Sequence, residues 1–189
     1  MPTNHFIQTA HQGSNTILAI DPSTRDLGVA VFGDGKLMYY TIKAIKPRRP
    51  RGALLETIAT VMDQLIRESE PAILAIEHIS LNQKSEALLT VVAEDIKTIA
   101  ASQGLEVKEY QARLVREQIC RLRGATKRQT ALVLCQRYPE LAQYGQKQTK
   151  SQARYYGHLF DAVAVGWVCA SEISGVEPKG TQLEEQLIF

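Results

Sequence analysis

No stretch of this 189-residue chain is apolar for long enough to span a bilayer, which takes about 20 residues. Cysteine is scarce. Cys120, Cys135 and Cys169 form no C-x-x-C pair and leave one thiol over. That pattern argues against a disulfide framework and against zinc, and predicts buried free thiols in a reducing compartment. The opening fifteen residues, MPTNHFIQTAHQGSN, show no charged start followed by an apolar run. They predict a disordered extension over 1–15 rather than a secretory leader. Internal repeats and low-complexity tracts are absent. What is present is an ordinary apolar share, 44%, in a length that suits one domain with a sizeable core.

A formal net charge of +2 conceals an asymmetry. Residues 107–157 hold eleven Lys or Arg against three Glu, a net of +8, while the remainder carries −6. A second basic cluster, KPRRPR, occupies 46–51. A concentrated basic segment points to an anionic partner, although one such cluster alone reads equally as a solvated face.

Hydrophobic periodicity orders the elements. TILAI and GVAVF read as strands around the DPSTRDL turn, with Gly28 permitting a bend. GDGK marks a hairpin, and 37–45 is the next strand. An amphipathic helix over 51–70 is stopped by Pro71, and AILAIE follows as a buried parallel strand. A helix over 85–102 turns Leu88, Leu89, Val92, Ile96 and Ile99 inward, and LEVKEY is another strand. Short helices are expected over 112–121 and 127–137, then a polar loop over 138–155. A last helix starts near His158. The prediction is an α/β protein. Its mixed five-stranded sheet, a three-stranded antiparallel meander plus parallel strands, is flanked by helices in one domain over 16–173. A flexible tail over 174–189 follows.

Four side chains stand out against this frame. Asp21 ends the first strand, and Glu77 ends AILAIE. Asp161 interrupts the apolar LFDAVAV, and His158 lies one helical turn before it. Each has an ordinary reading: a turn cap for Asp21, a strand-end charge for Glu77, a helix cap or core histidine for His158. Asp161 has the weakest such reading, because an unpaired carboxylate in an apolar helix is costly. Together, two strand ends and one helix start can supply four metal-capable groups to one point, provided the strands are neighbours.

AIDPSTRDLGVAV, AILAIEHI and HLFDAVAVG, in this order and spacing, resemble the three motifs of the RuvC family of Holliday-junction resolvases. The resemblance runs from Thr16 to Ser171 and implies an RNase H-like fold. It implies a metal-dependent, structure-selective DNA endonuclease acting on four-way junctions as a homodimer. By the match, Asp21, Glu77, His158 and Asp161 hold two divalent cations, Mg²⁺ or Mn²⁺. Arg116 and Lys127, eleven residues apart, fall where the family places two DNA-contacting lysines. Lys127 is also expected to steady the transition-state phosphate. Arg113, Arg121, Arg123 and Arg128 complete the expected DNA-binding stretch. Ser80 stands where the family often has an aromatic residue, and Ser23 where its first turn usually has Gly. Weak base preference at the cut site is therefore expected. The implied setting is the cytoplasm or a DNA-containing organelle, away from membranes. Two other readings stay open: a nucleic-acid-binding protein of this fold without nuclease activity, and an ATPase-like fold, whose phosphate-binding turn the first motif also resembles.

Overall fold

The computed structural model describes residues 15–45, 51–79, 87–145 and 149–175. Most of the N-terminal extension, the basic cluster at 46–50, Ser80, residues 146–148 and the tail after Gly175 lie outside the described residues.

Five strands form one sheet: β1 Ile17–Asp21, β2 Asp26–Gly33, β3 Lys36–Ala44, β4 Ile73–Glu77 and β5 Glu106–Tyr110. Their order is β3-β2-β1-β4-β5. β1, β2 and β3 are an antiparallel meander, and β4 and β5 join parallel to β1. The expected mixed sheet is therefore present. Asp34 and Gly35 turn the β2–β3 hairpin at positive φ, 50° and 74°.

Side chains alternate across a strand, so one sequence pattern serves two cores. Leu18, Ile20, Val29, Val31, Leu74 and Ile76 face α1 (Arg51–Ser69) and α2 (Ala87–Ser102). Ile17, Ala19, Ala30, Phe32, Ile73 and Ala75 face the opposite way. There they meet α3 (Ala112–Cys120), α4 (Lys127–Arg137) and the last helix. On α2 the inward stripe is Val92, Ala93, Ile96 and Ala100. Leu88, Leu89 and Ile99, expected inward, are only partly buried.

The last helix departs from expectation. A 3-10 turn at Pro139–Leu141 and a single turn α5, Ala142–Gly145, replace part of the predicted loop, and α6 spans Lys150–Ser174. Its start is set by a capping box: the Thr149 hydroxyl accepts from Gln152 N, and Gln152 Oε1 accepts from Thr149 N at 3.0 Å. His158 is therefore two turns inside the helix and does not cap it. Residues 159–171 of α6 are buried all round, as befits a helix between the sheet and α3 and α4. Gly166 makes that contact possible: a Cβ there would lie 2.5 Å from Phe32 Cε2 and 2.9 Å from Ala19 Cβ. The cysteines are free, but only Cys169 is fully buried; Cys120 and Cys135 are half-buried on the shorter helices α3 and α4.

Candidate active site

The parallel pairing of β1 and β4 sets Ile20 opposite Ile76, so Asp21 and Glu77 follow side by side at the carboxyl ends of adjacent strands. That is where open α/β sheets gather ligands. Both share the face of Ala19 and Ala75, toward α6. The chain leaves β1 through Pro22, and Arg25 N donates to Ser23 Oγ at 3.3 Å, fixing the turn. Gly28 pairs with Asp21 across β1 and β2. It does not bend the chain as expected; it sits inside β2, and a Cβ there would collide with the His158 carbonyl. The missing side chain lets the α6 backbone descend beside Asp21.

This descent assembles the site. Oxygens of Asp21, Glu77 and Asp161 lie within 4.8 Å of one another. His158 Nδ1 and Asp21 Oδ2 share a hydrogen bond of 2.6 Å, so Nε2 is the ring nitrogen not engaged with Asp21. Lys127 Nζ, on the first turn of α4, donates to Asp161 Oδ2. Thr126 starts α4 with a second capping box, which fixes where Lys127 begins. A cation at a helix N-terminus is disfavoured by the dipole, and Asp161 offsets that cost. It also gives Asp161, 7% exposed, the partner an apolar helix must supply.

The electrostatics are those of crowded carboxylates. Burial pushes Glu77 up to about 8, with the charges of Asp21 and Asp161 adding to it and those of Lys127 and Arg116 opposing. Burial also pushes Asp21 up, against the hydrogen bond from His158. That same bond pushes His158 up against its own burial. Burial lowers Lys127, but Asp161, Asp21 and Glu77 outweigh it and the net shift is upward. Three carboxylates crowded this closely repel one another unless protons or a cation intervene. An all-oxygen donor set with one imidazole beside it fits a hard divalent cation.

Of the residues singled out in the sequence, Asp21, Glu77, His158, Asp161 and Lys127 converge. Arg116 is half-buried, and its charge acts on Glu77. Arg113 pairs with Glu117 at 3.1 Å, while Arg121, Arg123 and Arg128 are exposed around the α3–α4 turn. Sequence reading missed three features: the bond between Lys127 and Asp161, the close approach at Gly28, and the role of Gly166. An isolated glycine inside an apolar helix signals close packing, so Gly166 was legible in principle.

A model of the family described as crossover junction endodeoxyribonuclease RuvC matches residues 17–153. The chain belongs to that family. It is accordingly a nuclease of the crossover-junction class and depends on a divalent metal. The match ends before His158 and Asp161. Thermus thermophilus RuvC superposes with a TM-score of 0.64 at 19% identity, covering 85% of this chain and 97% of that one. The same enzyme in complex with a Holliday junction substrate gives 0.63 at 18% identity, covering 85% and 96%. The yeast mitochondrial Holliday junction resolvase Ydc2 gives 0.62 at 7% identity, covering 88% and 83%. These likenesses carry the RNase H-like fold. Comparison with curated protein sequences gives no significant match. Among the described residues no helix is long and apolar enough to cross a membrane.

Proposed function

We propose that this RuvC-family chain resolves four-way DNA junctions as a homodimer, with Asp21, Glu77 and Asp161 holding two divalent cations, Mg²⁺ or Mn²⁺. The observation that carries the reading is the convergence of three carboxylates within 4.8 Å, with Lys127 bonded to Asp161 and the charge of Arg116 acting on Glu77. A metal pair, when bound, activates water and neutralises the leaving oxygen of an in-line displacement. Water oxygen bonds to phosphorus as the bond to the 3′ oxygen breaks, leaving a 5′-phosphate and a 3′-hydroxyl. Asp21, within 4.8 Å of both other carboxylates, would hold a cation together with them. His158 holds the Asp21 carboxylate through Nδ1 and offers Nε2 as a fourth ligand. Lys127 neutralises Asp161 in the free protein and steadies the phosphate during reaction. Arg116 and Lys127 form the inner end of a backbone track, with Arg113, Arg121, Arg123 and Arg128 outside it.

Two cuts related by symmetry require two such sites, which supports a dimer. Val91, 48% exposed on α2, with Leu88 half-buried beside it, supplies an apolar strip for the contact.

The test is cleavage of a synthetic four-way junction, a flap and plain duplex in Mg²⁺, Mn²⁺ or EDTA, with wild type and Asp21→Asn. Junction-selective, EDTA-sensitive cutting that Asp21→Asn abolishes while still binding the junction is expected. Substantial turnover by Asp21→Asn overturns the metal assignment. Equal cutting of duplex and junction overturns the substrate.

A further inference from the structure

Between α3 and α4 the chain reverses through a demanding turn. Arg121 closes α3 in the left-handed region, at φ 50°, and Gly124 follows at φ 72°. A residue with a Cβ keeps that conformation only when its surroundings hold it. Glu117, near the end of α3, fastens the Gly124 end of this turn. One oxygen, Oε1, accepts from Gly124 N at 2.9 Å and from Arg113 Nε at 3.1 Å. The turn then runs straight into Thr126, the cap of α4, and Lys127.

The composition makes this carboxylate conspicuous. Between Gln111 and Tyr138 it is the single acidic residue among seven Lys or Arg. A segment whose only task was to collect positive charge for phosphates would gain nothing from it. The Gly124 N–H and the charges of Arg113 and Arg123 hold its carboxyl below the usual range, so it is charged where DNA would bind.

We infer that Glu117 is a positioning residue for the DNA track: it fastens the α3–α4 turn so that α4 begins where Lys127 reaches Asp161 and the phosphate backbone. The inference rests on reading Arg116 and Lys127 as that track. It makes a prediction opposite in sign to charge counting. Removing one negative charge from a phosphate-binding surface tightens binding, and each extra phosphate neutralised steepens the salt slope by about 0.9. Loss of the fastening weakens binding instead.

The experiment is junction binding by fluorescence anisotropy in EDTA across a salt series, with wild type, Glu117→Ala, Glu117→Gln and the double variant Arg116→Ala/Lys127→Ala. Amide exchange at Gly124 is followed in parallel. Glu117→Ala is expected to bind about fivefold more weakly despite its added positive charge. Exchange at Gly124 should accelerate. Glu117→Gln, which keeps an oxygen for Gly124 N, should recover most of both. Binding by Glu117→Ala as tight as wild type or tighter overturns the inference, as does unchanged exchange at Gly124. If the double variant binds like wild type, it is the track reading that fails, and the Gly124 amide alone then decides whether Glu117 fastens the turn.

Discussion

One face of the sheet shows Leu18, Ile20, Val29, Val31, Leu74 and Ile76 to α1 and α2; the other carries Ile17, Phe32 and Ile73 at the start of β1 but only Ala19, Gly28, Ala30 and Ala75 nearer the carboxylates. The same three strands write both faces in alternate residues. Branched side chains on the first face fill the space under two amphipathic helices and supply apolar burial. Small residues on the second let α6 settle low enough that its backbone meets β2 at Gly28 and its Asp161 reaches the level of Asp21 and Glu77. The first face is built for cohesion. The second gives up side-chain volume at its carboxylate end and gathers buried carboxylates there, an arrangement that destabilises the metal-free fold. Stability and chemistry are thus separated by one residue along each strand.

That separation can be broken first at Glu77. Glu77→Gln should lower cleavage about a thousandfold or more, since one of the three carboxylates proposed to hold the cations is lost. It should also raise the metal-free melting temperature by a few degrees at pH 7, because the amide is neutral in the unfolded chain too and takes up no proton on burial, as Glu77 must. Single-turnover cleavage and a thermal melt in EDTA measure the two. An inactive variant that also melts lower would contradict the division of labour.

On the opposite face, Leu18→Ala removes a fully buried side chain three residues before Asp21. It should cost about 2–5 kcal/mol of unfolding free energy. Cleavage per folded molecule should stay within about twofold of wild type, since the α6 side is untouched. Urea unfolding and cleavage at low temperature check this pair of outcomes.

Gly166→Ala sits where the faces communicate. The new Cβ would meet Phe32 at 2.5 Å, so α6 must lift or Phe32 must turn. Overpacking of this kind costs about 1–3 kcal/mol. Unlike Leu18→Ala, it should also slow cleavage, because Asp161 and His158 move with the helix. Full activity in a destabilised Gly166→Ala would show that the site tolerates a raised α6.

The pH dependence is smaller and has a definite sign. In the unfolded chain Glu77 ionises near its ordinary 4.5, whereas in the fold it keeps its proton up to about 8. Between those values the folded state binds more protons, so the contribution of Glu77 to stability falls as pH rises from 4.5 to 8 and then levels. His158, raised by Asp21, acts in the same direction: its contribution is complete below 6.5 and is lost as pH rises through its folded value. Melts in EDTA from pH 5 to 9 should therefore lose stability more steeply in wild type than in Glu77→Gln, and a divalent cation should reduce the difference. Parallel curves for the two proteins would remove Glu77 from the account.

The smallest effect concerns His158. Imidazole suits transition metals better than Mg²⁺, so wild type should favour Mn²⁺, and His158→Asp should narrow the ratio of rates a few-fold. An unchanged ratio would leave His158 as the residue that orients Asp21 and nothing more.

Most of the strand framework was legible because its residues obey a local rule. ILAID, DLGVAVFG and ILAIE alternate or run apolar between clear turns, and each strand pairs as its pattern demands. The beginning of α6 was harder to read. Polar residues 150–157 look like a loop to any periodicity argument, and only the Thr149–Gln152 capping box marked the start. Thiol burial was overestimated at Cys120 and Cys135, since a helical position does not say which face the helix turns inward.

By itself the sequence determined that β1 and β4 would end in carboxylates, that Asp161 needed a partner inside an apolar helix, and that the positive charge would gather between β5 and α6. These follow from alternation, desolvation cost and composition, which act within a few residues. Tertiary structure alone decided that the partner of Asp161 is Lys127, 34 positions away, and that His158 reaches Asp21 across 137 positions. It also decided that Gly28 serves as a seat for another backbone and not as a bend. Such pairings depend on how closely α6 can approach the sheet, and that distance is set jointly by side-chain volumes from four separate elements.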